Sequence, residues 1–364
     1  MLSVALLLGF YLLGVLVLAA SVGAIWLMLA AGYINVGVVL AAPAVAFAVL
    51  RGMLTAGHKF KGLPGSVQVT PQTQPELFGE ITDIADRMGA DAPDEVYLVH
   101  DVNAFVLEDT RLLGLVTRKR VMGIGLPLID SLSVDELRGV IAHEFGHYAG
   151  GDTRLAPVVY RGRTSILQTI RSLGGGFVAS IYVQYFKVFL RTSMAVSRRQ
   201  ELAADAWAVT VAGTGPTVAT NQRLGALGAA NDAFLDQYVH SLWIEGRRPV
   251  NQFSGFRRMV GHADNADAFR DAAEAVLRRT ADAYDSHPSS SERIAFVREL
   301  PHVADPGDDR PARALLHDLE SLEVELTAAY ASVTWLGGAL TPVGWDDAGS
   351  VYAERLLPIS DALM

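Results

Sequence analysis

No Asp, Glu, Lys or Arg occurs between Met1 and Leu50. A bilayer core of about 30 Å takes roughly 20 helical residues per crossing, so this run is long enough for two. They are placed at Val4–Ala30 and Val36–Leu54, hinged at Gly32-Tyr33-Ile34-Asn35. A secretory signal peptide fits poorly, because no basic region precedes the run and the run far exceeds the usual ~7–15 apolar residues. A single signal anchor is the other alternative. Arg51, Lys59 and Lys61 lie at or just past the end of the second crossing, and nothing basic except the α-amino group precedes the first. The positive-inside rule then puts both ends of the hairpin, and everything after it, in the cytoplasm.

Composition narrows the rest. The chain has 364 residues, 51% apolar and 19% charged, which excludes disorder over most of its length. It has no cysteine, which removes disulfides, Cys-held zinc, iron–sulfur clusters and thiol nucleophiles together. Any metal must therefore be held by His, Asp and Glu. A net charge of −9 argues against general nucleic-acid binding.

Beyond the hairpin, Thr73-Gln74-Pro75-Glu76 reads as a capping box opening a helix that ends near Gly89. Glu95–His100, Asn103–Leu107 and Arg120–Leu128 read as strands. Ser133-Val134-Asp135-Glu136 is a second capping box. Leu137, Val140, Ile141 and Phe145 follow at helical spacing, which predicts a helix from Ser133 to about Gly150. After Glu201 the chain reads as mainly helical.

The Ser133 helix carries His143-Glu144-Phe145-Gly146-His147. Positions i and i+4 stack on one helix face, so both imidazoles can reach one metal ion, with Glu144 beside an attacking water. This is the zinc metalloprotease pattern. Apart from Glu144, no charged residue interrupts Gly139–Gly151. A catalytic zinc needs a third protein ligand and an open position. Asp152, Glu201, Asp205 and His287 could each supply that ligand. Glu201 is the best candidate, because it shares a helical face with Asp205 at i+4, so that one carboxylate can bind metal while the other orients a ligand histidine. The bland alternative is a solvated acidic pair on a surface helix.

At this point the sequence resembles the M48 zinc metallopeptidases, from about Pro71 to Arg298. Five segments carry the resemblance in order: Val102-Asn103-Ala104-Phe105, Arg120–Leu126, Leu132–Asp152, Ser197-Arg198 with Glu201 and Ala204-Asp205, and Ser286-His287-Pro288 with Glu292-Arg293-Ile294. The two N-terminal crossings suit the membrane-bound HtpX-like and CAAX-prenyl-protease-like members.

The resemblance implies an α+β chain: a transmembrane hairpin (1–55), a mainly helical gluzincin-type protease domain with a small β-sheet (56–303) and a C-terminal helical extension (304–364). It implies one Zn2+ per chain on His143, His147 and Glu201, with Glu144 as the base and Asp205 hydrogen-bonded to a ligand histidine, His143. Asn103, Ala104 and Phe105 would offer a strand edge to a peptide. His287, at the catalytic centre, and Arg293 would both support the oxyanion formed during attack, against the plainer reading of Pro288 and Ser289–Ser291 as helix-start chemistry. The implied activity is that of a zinc metalloendopeptidase of the cell membrane, acting on protein and peptide substrates, membrane proteins among them, in quality control. Its other partner is the bilayer; no nucleic acid is involved.

One departure stands out. HtpX-like members carry two more crossings between the zinc motif and the third ligand. Here Arg154–Gln200 holds eight basic residues, no acid, and only a short uncharged run, Ser172–Phe186. Two readings follow: helices lying on an anionic bilayer surface, or amphipathic helices packed on the protease core. Two other functions compete. A catalytically silent zinc-binding membrane scaffold has no use for Glu144, and an intramembrane protease would carry its motif inside an apolar span of about 20 residues.

Overall fold

The structure, a computed structural model, describes residues 2–32, 34–53, 62–111, 116–149, 156–282, 285 and 287–350. Leu54, Lys59 and Lys61, used above for the end of the hairpin and its orientation, lie outside the described residues. The charge-free run forms two antiparallel helices, α1 (Leu2–Ala30) and α2 (Val36–Met53). Both are long and apolar enough to cross a bilayer.

After β1 (Val67–Val69), α3 (Pro75–Met88) starts one residue later than a Thr73 cap requires. Pro75 takes the first helical position, where its missing N–H costs nothing, so Gln74 becomes the cap. Thr73 instead bonds Thr70. The helix ends at Gly89, whose φ of 61° closes the last turn.

Strands β2 (Glu95–Val99), β3 (Ala104–Arg111) and β4 (Val116–Gly125) complete a sheet of order β1-β2-β4-β3. β2 and β4 run parallel, and β3 is an antiparallel edge strand. The strand expected to reach Leu128 stops at Gly125, because Pro127 cannot donate to a ladder and starts the short helix α4 (Leu126–Ser131) instead.

The expected Ser133 helix is α5 (Val134–Ala149). Its capping box is reciprocal: the Glu136 amide donates to Ser133 Oγ at 3.2 Å, and the Ser133 amide to Glu136 Oε2 at 2.8 Å. The buried face of α5, with Leu137, Ile141 and Phe145, joins Leu77 and Ile81 of α3 and Val96, Leu98, Met122 and Ile124 of the sheet in the main core. The later chain also braces this helix. Backbone amides of Gly307 and Asp308 both donate to the buried Asp135 Oδ2 at 2.8 Å, and the Val134 amide donates to the Arg310 carbonyl at 2.9 Å.

α6 (Ala156–Leu173) and α7 (Gly176–Ala212) make a second hairpin. The part of it beyond α5 does not lie on the main core. It packs against the first hairpin, where Phe10, Val49, Ile166, Tyr182 and Phe189 form a separate apolar cluster. The lower half of α7 then runs on to cross α5. The remaining α-helices and strands among the described residues are α8 (Thr214–Phe234), α9 (His240–Ile244), β5 (Arg247–Pro249), α10 (Gln252–Gly261), α11 (Ala266–Arg278), α12 (Ser290–Glu299), α13 (Leu319–Thr334) and β6 (Thr341–Val343).

Candidate metal centre

The centre forms where α5 and α7 cross. A Cβ on Gly146 would lie 2.9 Å from the Cα of Ala204 and 3.1 Å from the Trp207 ring, so glycine is what lets these helices approach so closely. The sequence pointed to the histidines on either side of Gly146 but gave no role to the glycine. Its signal was a small residue facing a small one, Ala204.

That approach sets one turn of α7 against one turn of α5. The His143 and His147 rings stand 4.9 Å apart and nearly perpendicular, at 88°. Glu201 reaches both: its Oε2 is 3.4 Å from His143 Nε2 and its Oε1 is 3.8 Å from His147 Nε2. Two donors each about 2.0–2.2 Å from a tetrahedral zinc stand about 3.3–3.6 Å apart; the His143–Glu201 pair lies within that range and the His147–Glu201 pair just beyond it, so a small movement of the Glu201 carboxylate suits the three residues to that ion. Nitrogen donors from both histidines and a Glu144 oxygen lie within 4.8 Å of one another. Asp152, the other acidic candidate on α5's side, lies outside the described residues.

A second layer fixes His143. Its Nδ1 lies 3.1 Å from Asp205 Oδ1, and Asp205 is 1% exposed. Placing the proton on Nδ1 leaves Nε2 bare towards Glu201 and His147. Arg293, from the first turn of α12, grips Asp205 with two bonds, Nε to Oδ2 at 2.9 Å and Nη2 to Oδ1 at 2.5 Å. The capping box of Ser289 and Glu292 sets the start of α12 and so aims Arg293. The guanidinium that the sequence put beside an oxyanion thus has its fork on Asp205. His287 stays two-thirds exposed, with Nδ1 2.9 Å from Glu201 Oε1. Ser286, next to it, is outside the described residues. Arg198, one turn before Glu201, donates to the Asp285 carbonyl at 3.3 Å and holds the His287 loop to α7.

Protonation follows from burial and these partners. Burial is the largest effect on Glu144 and pushes its carboxyl up to about 7. Burial, helped by the neighbouring His143, pushes His147 down to about 4. For His143 burial acts downwards too, but the hydrogen bonds of Asp205 and Glu201 overcome it and raise the imidazole to about 9. Burial acts upwards on Asp205 and Glu201. Arg293 and His143 nevertheless hold Asp205 below the usual carboxylate range, and His143 and His287 do the same for Glu201.

The edge strand β3 runs beside this helix. Ala104 packs with Val140 of α5, and Val106 packs against the main core. Asn103 anchors the start of the strand by accepting the Gly125 amide at 2.7 Å. Phe105 lays its ring across Gly123 of β4.

Residues 71–301 match the sequence profile of Peptidase family M48. The chain belongs to that family. This M48 chain is similar to Protease HtpX of Pseudomonas paraeruginosa, with 28% identity over 176 residues, 42% of this chain and 58% of that protein. It is also similar to the Protease HtpX homolog of Listeria monocytogenes, with 31% identity over 160 residues, 43% of this chain and 48% of that one. The chain therefore spans between about half and three-fifths of these relatives' lengths. Among solved structures, it is similar at 18% identity to Ste24p of S. mikatae, over 64% of this chain and 52% of that one, with a TM-score of 0.30.

Proposed function

We propose that this M48 chain is a membrane-anchored zinc metalloendopeptidase. The observation that carries the proposal is the convergence of His143, His147 and Glu201, with Glu201 oxygens 3.4 and 3.8 Å from the two histidines and a Glu144 oxygen near both imidazoles. Zinc bound there supplies a lowered pKa for water and polarisation of the scissile carbonyl.

The other steps belong to side chains of this chain. Glu144 accepts a proton from the attacking water and returns it to the leaving amine; a carboxyl held near pH 7 suits both transfers. Asp205 and Arg293 keep the His143 ring turned so that Nε2 faces the ion. His287 is placed to meet the oxyanion, with Arg293 adding positive charge from behind Asp205. The free edge of β3, from Asn103 through Ala104 and Phe105, accepts an extended peptide as a further strand and reads its backbone more than its side chains. Broad endopeptidase specificity follows.

The chain divides into the hairpin (1–55), the protease unit (56–303) and a C-terminal helical extension (304–364), of which Gly307, Asp308 and Arg310 brace the start of α5. The hairpin places the protein in the cell membrane, as a multi-pass protein turning over membrane proteins. Casein cleavage by the detergent-solubilised protein tests the activity. Cleavage should stop when 1,10-phenanthroline removes the metal and return when zinc is restored. Undiminished cleavage in the chelator would refute a metal-dependent mechanism.

Orientation follows from the flanks. With Arg51 in the last turn of the second crossing and Lys59 and Lys61 just past it, the N-terminus and the protease unit are cytoplasmic. A reporter fused at Met364 should behave as a cytoplasmic one. Its export would mean a single crossing, with the site on the outer face.

A further inference from the structure

The α6–α7 hairpin has no role in the chemistry above, although α7 goes on to carry Glu201 and Asp205. Its depth beside α1 and α2 can be read from contacts. Gly14 of α1 touches Met53 of α2, and Gly52 of α2 touches Thr169 of α6, so these residues share one level. Below that level, Phe10 packs on Tyr182, and Tyr185 bonds the Leu6 carbonyl.

Above it the helices differ in reach. At 1.5 Å per residue, α1 continues to Ala30 for about 24 Å and α2 back to Val36 for about 26 Å, whereas α6 reaches its end at Leu173 after about 6 Å. The tip of the second hairpin, Gly174-Gly175-Gly176, therefore stops about 18 Å short of the tip of the first. If a core of about 30 Å begins at the α1–α2 tip, its other boundary falls about 6 Å below the shared level. The α6–α7 tip then sits about 12 Å inside it, within one leaflet.

The surface of the hairpin matches that depth. On α7, Phe177, Ile181, Gln184 and Val188 form one outward stripe. Phe177 is 82% exposed, Val188 54% and Ile181 37%, although Tyr182 and Phe189 on the opposite side are buried against the first hairpin. Below the apolar tip come Lys187 and Arg191, both exposed and about 16 and 22 Å from Gly176 along the helix. That is the headgroup level. Arg171, near the tip on α6, shares a groove with Ser180 and Gln184, and its long stem can carry the charge towards the phosphates. The stretch from Arg154 to Gln200 has no acid to oppose an anionic surface.

We propose that α6–α7 is a half-depth membrane wedge: its Gly-rich tip and Phe177 lie in the hydrocarbon of the leaflet facing the protease unit, with Lys187 and Arg191 at anionic headgroups. The inference rests on the α1–α2 hairpin crossing the bilayer. It goes beyond the proposed activity by giving the helix that bears Glu201 a lipid anchor of its own.

The absence of cysteine makes the test clean, since each variant carries a single thiol. Phe177→Cys, Ile34→Cys and Glu299→Cys are made in the full chain and reconstituted in vesicles of phosphatidylethanolamine and phosphatidylglycerol. Each is probed with a membrane-impermeant maleimide from either face, and with a spin label relaxed by oxygen or by a water-soluble nickel chelate. All three side chains are exposed, so folding is undisturbed.

The expected result is a Phe177→Cys label relaxed by oxygen and shielded from nickel, unreactive to maleimide from both faces, and placed in the leaflet on the side where Glu299→Cys reacts. Reaction from the face opposite Glu299→Cys would make the hairpin a full crossing and overturn the proposal. Reaction from the Glu299→Cys face as fast as that control would make it a water-exposed hairpin and overturn it too. Ile34→Cys reports the first hairpin independently. Reaction from the face opposite Glu299→Cys upholds the crossing, so failure of the wedge is told apart from failure of the crossing. Reaction from the same face removes the crossing, and the wedge with it.

Discussion

Glu144→Gln is expected to retain zinc and to lose casein hydrolysis by ~10² or more, the range for removal of a positioned acid–base group. The substitution keeps the shape of the side chain, and Glu144 makes none of the convergent contacts that join Glu201 to the two histidines. What it removes is a half-buried carboxyl held near pH 7 within reach of the same centre. Metal content measured on the same preparation as activity separates chemistry from folding. Cleavage at the parent's rate would show that Glu144 is not the base. Full zinc without activity in the parent itself would favour the silent scaffold.

Much of this centre was legible in the sequence because local rules fix it. The i, i+4 spacing of His143 and His147 and the capping box at Ser133 depend on neighbours within a turn, and both appear in α5. The pairing of Glu201 with Asp205 was legible for the same reason. Two things were not, since each depends on contacts distant in sequence. Arg293 could be placed near the centre but not aimed; its fork on Asp205 joins α12 to α7 across 88 positions. The basic α6–α7 region could be read as lying on a bilayer or on the protease core, because a helix's amphipathic face does not say what covers it. What the structure shows is packing against the first hairpin, through Phe10, Val49 and Tyr182, which belong to three different helices. The strand expected at Arg120–Leu128 failed more simply: Pro127 marked its end, and the apolar run Leu126–Leu128 masked that stop.

The assignment of the third ligand gives the other large effect. Glu201 and Asp205 lie one turn apart on α7, both are buried, and both touch His143, yet they touch different nitrogens. Glu201 meets Nε2 of His143 and Nε2 of His147, the side on which a metal is shared. Asp205 meets Nδ1 of His143 alone, from behind, and is itself clamped by Arg293. Removing Glu201 leaves two histidines, which fix zinc only in part. Removing Asp205 leaves the three proposed ligands but frees the His143 ring and leaves the half-buried Arg293 guanidinium without its carboxylate. Glu201→Ala is therefore expected to lose most of its zinc, whereas Asp205→Ala keeps zinc with affinity or activity lowered ~10–100-fold, as for other lost partners of ligand histidines. Metal analysis of both purified variants, with circular dichroism to confirm that each is folded, decides between them. One full equivalent of zinc on Glu201→Ala would move the third ligand elsewhere, and loss of zinc from Asp205→Ala alone would exchange the two roles.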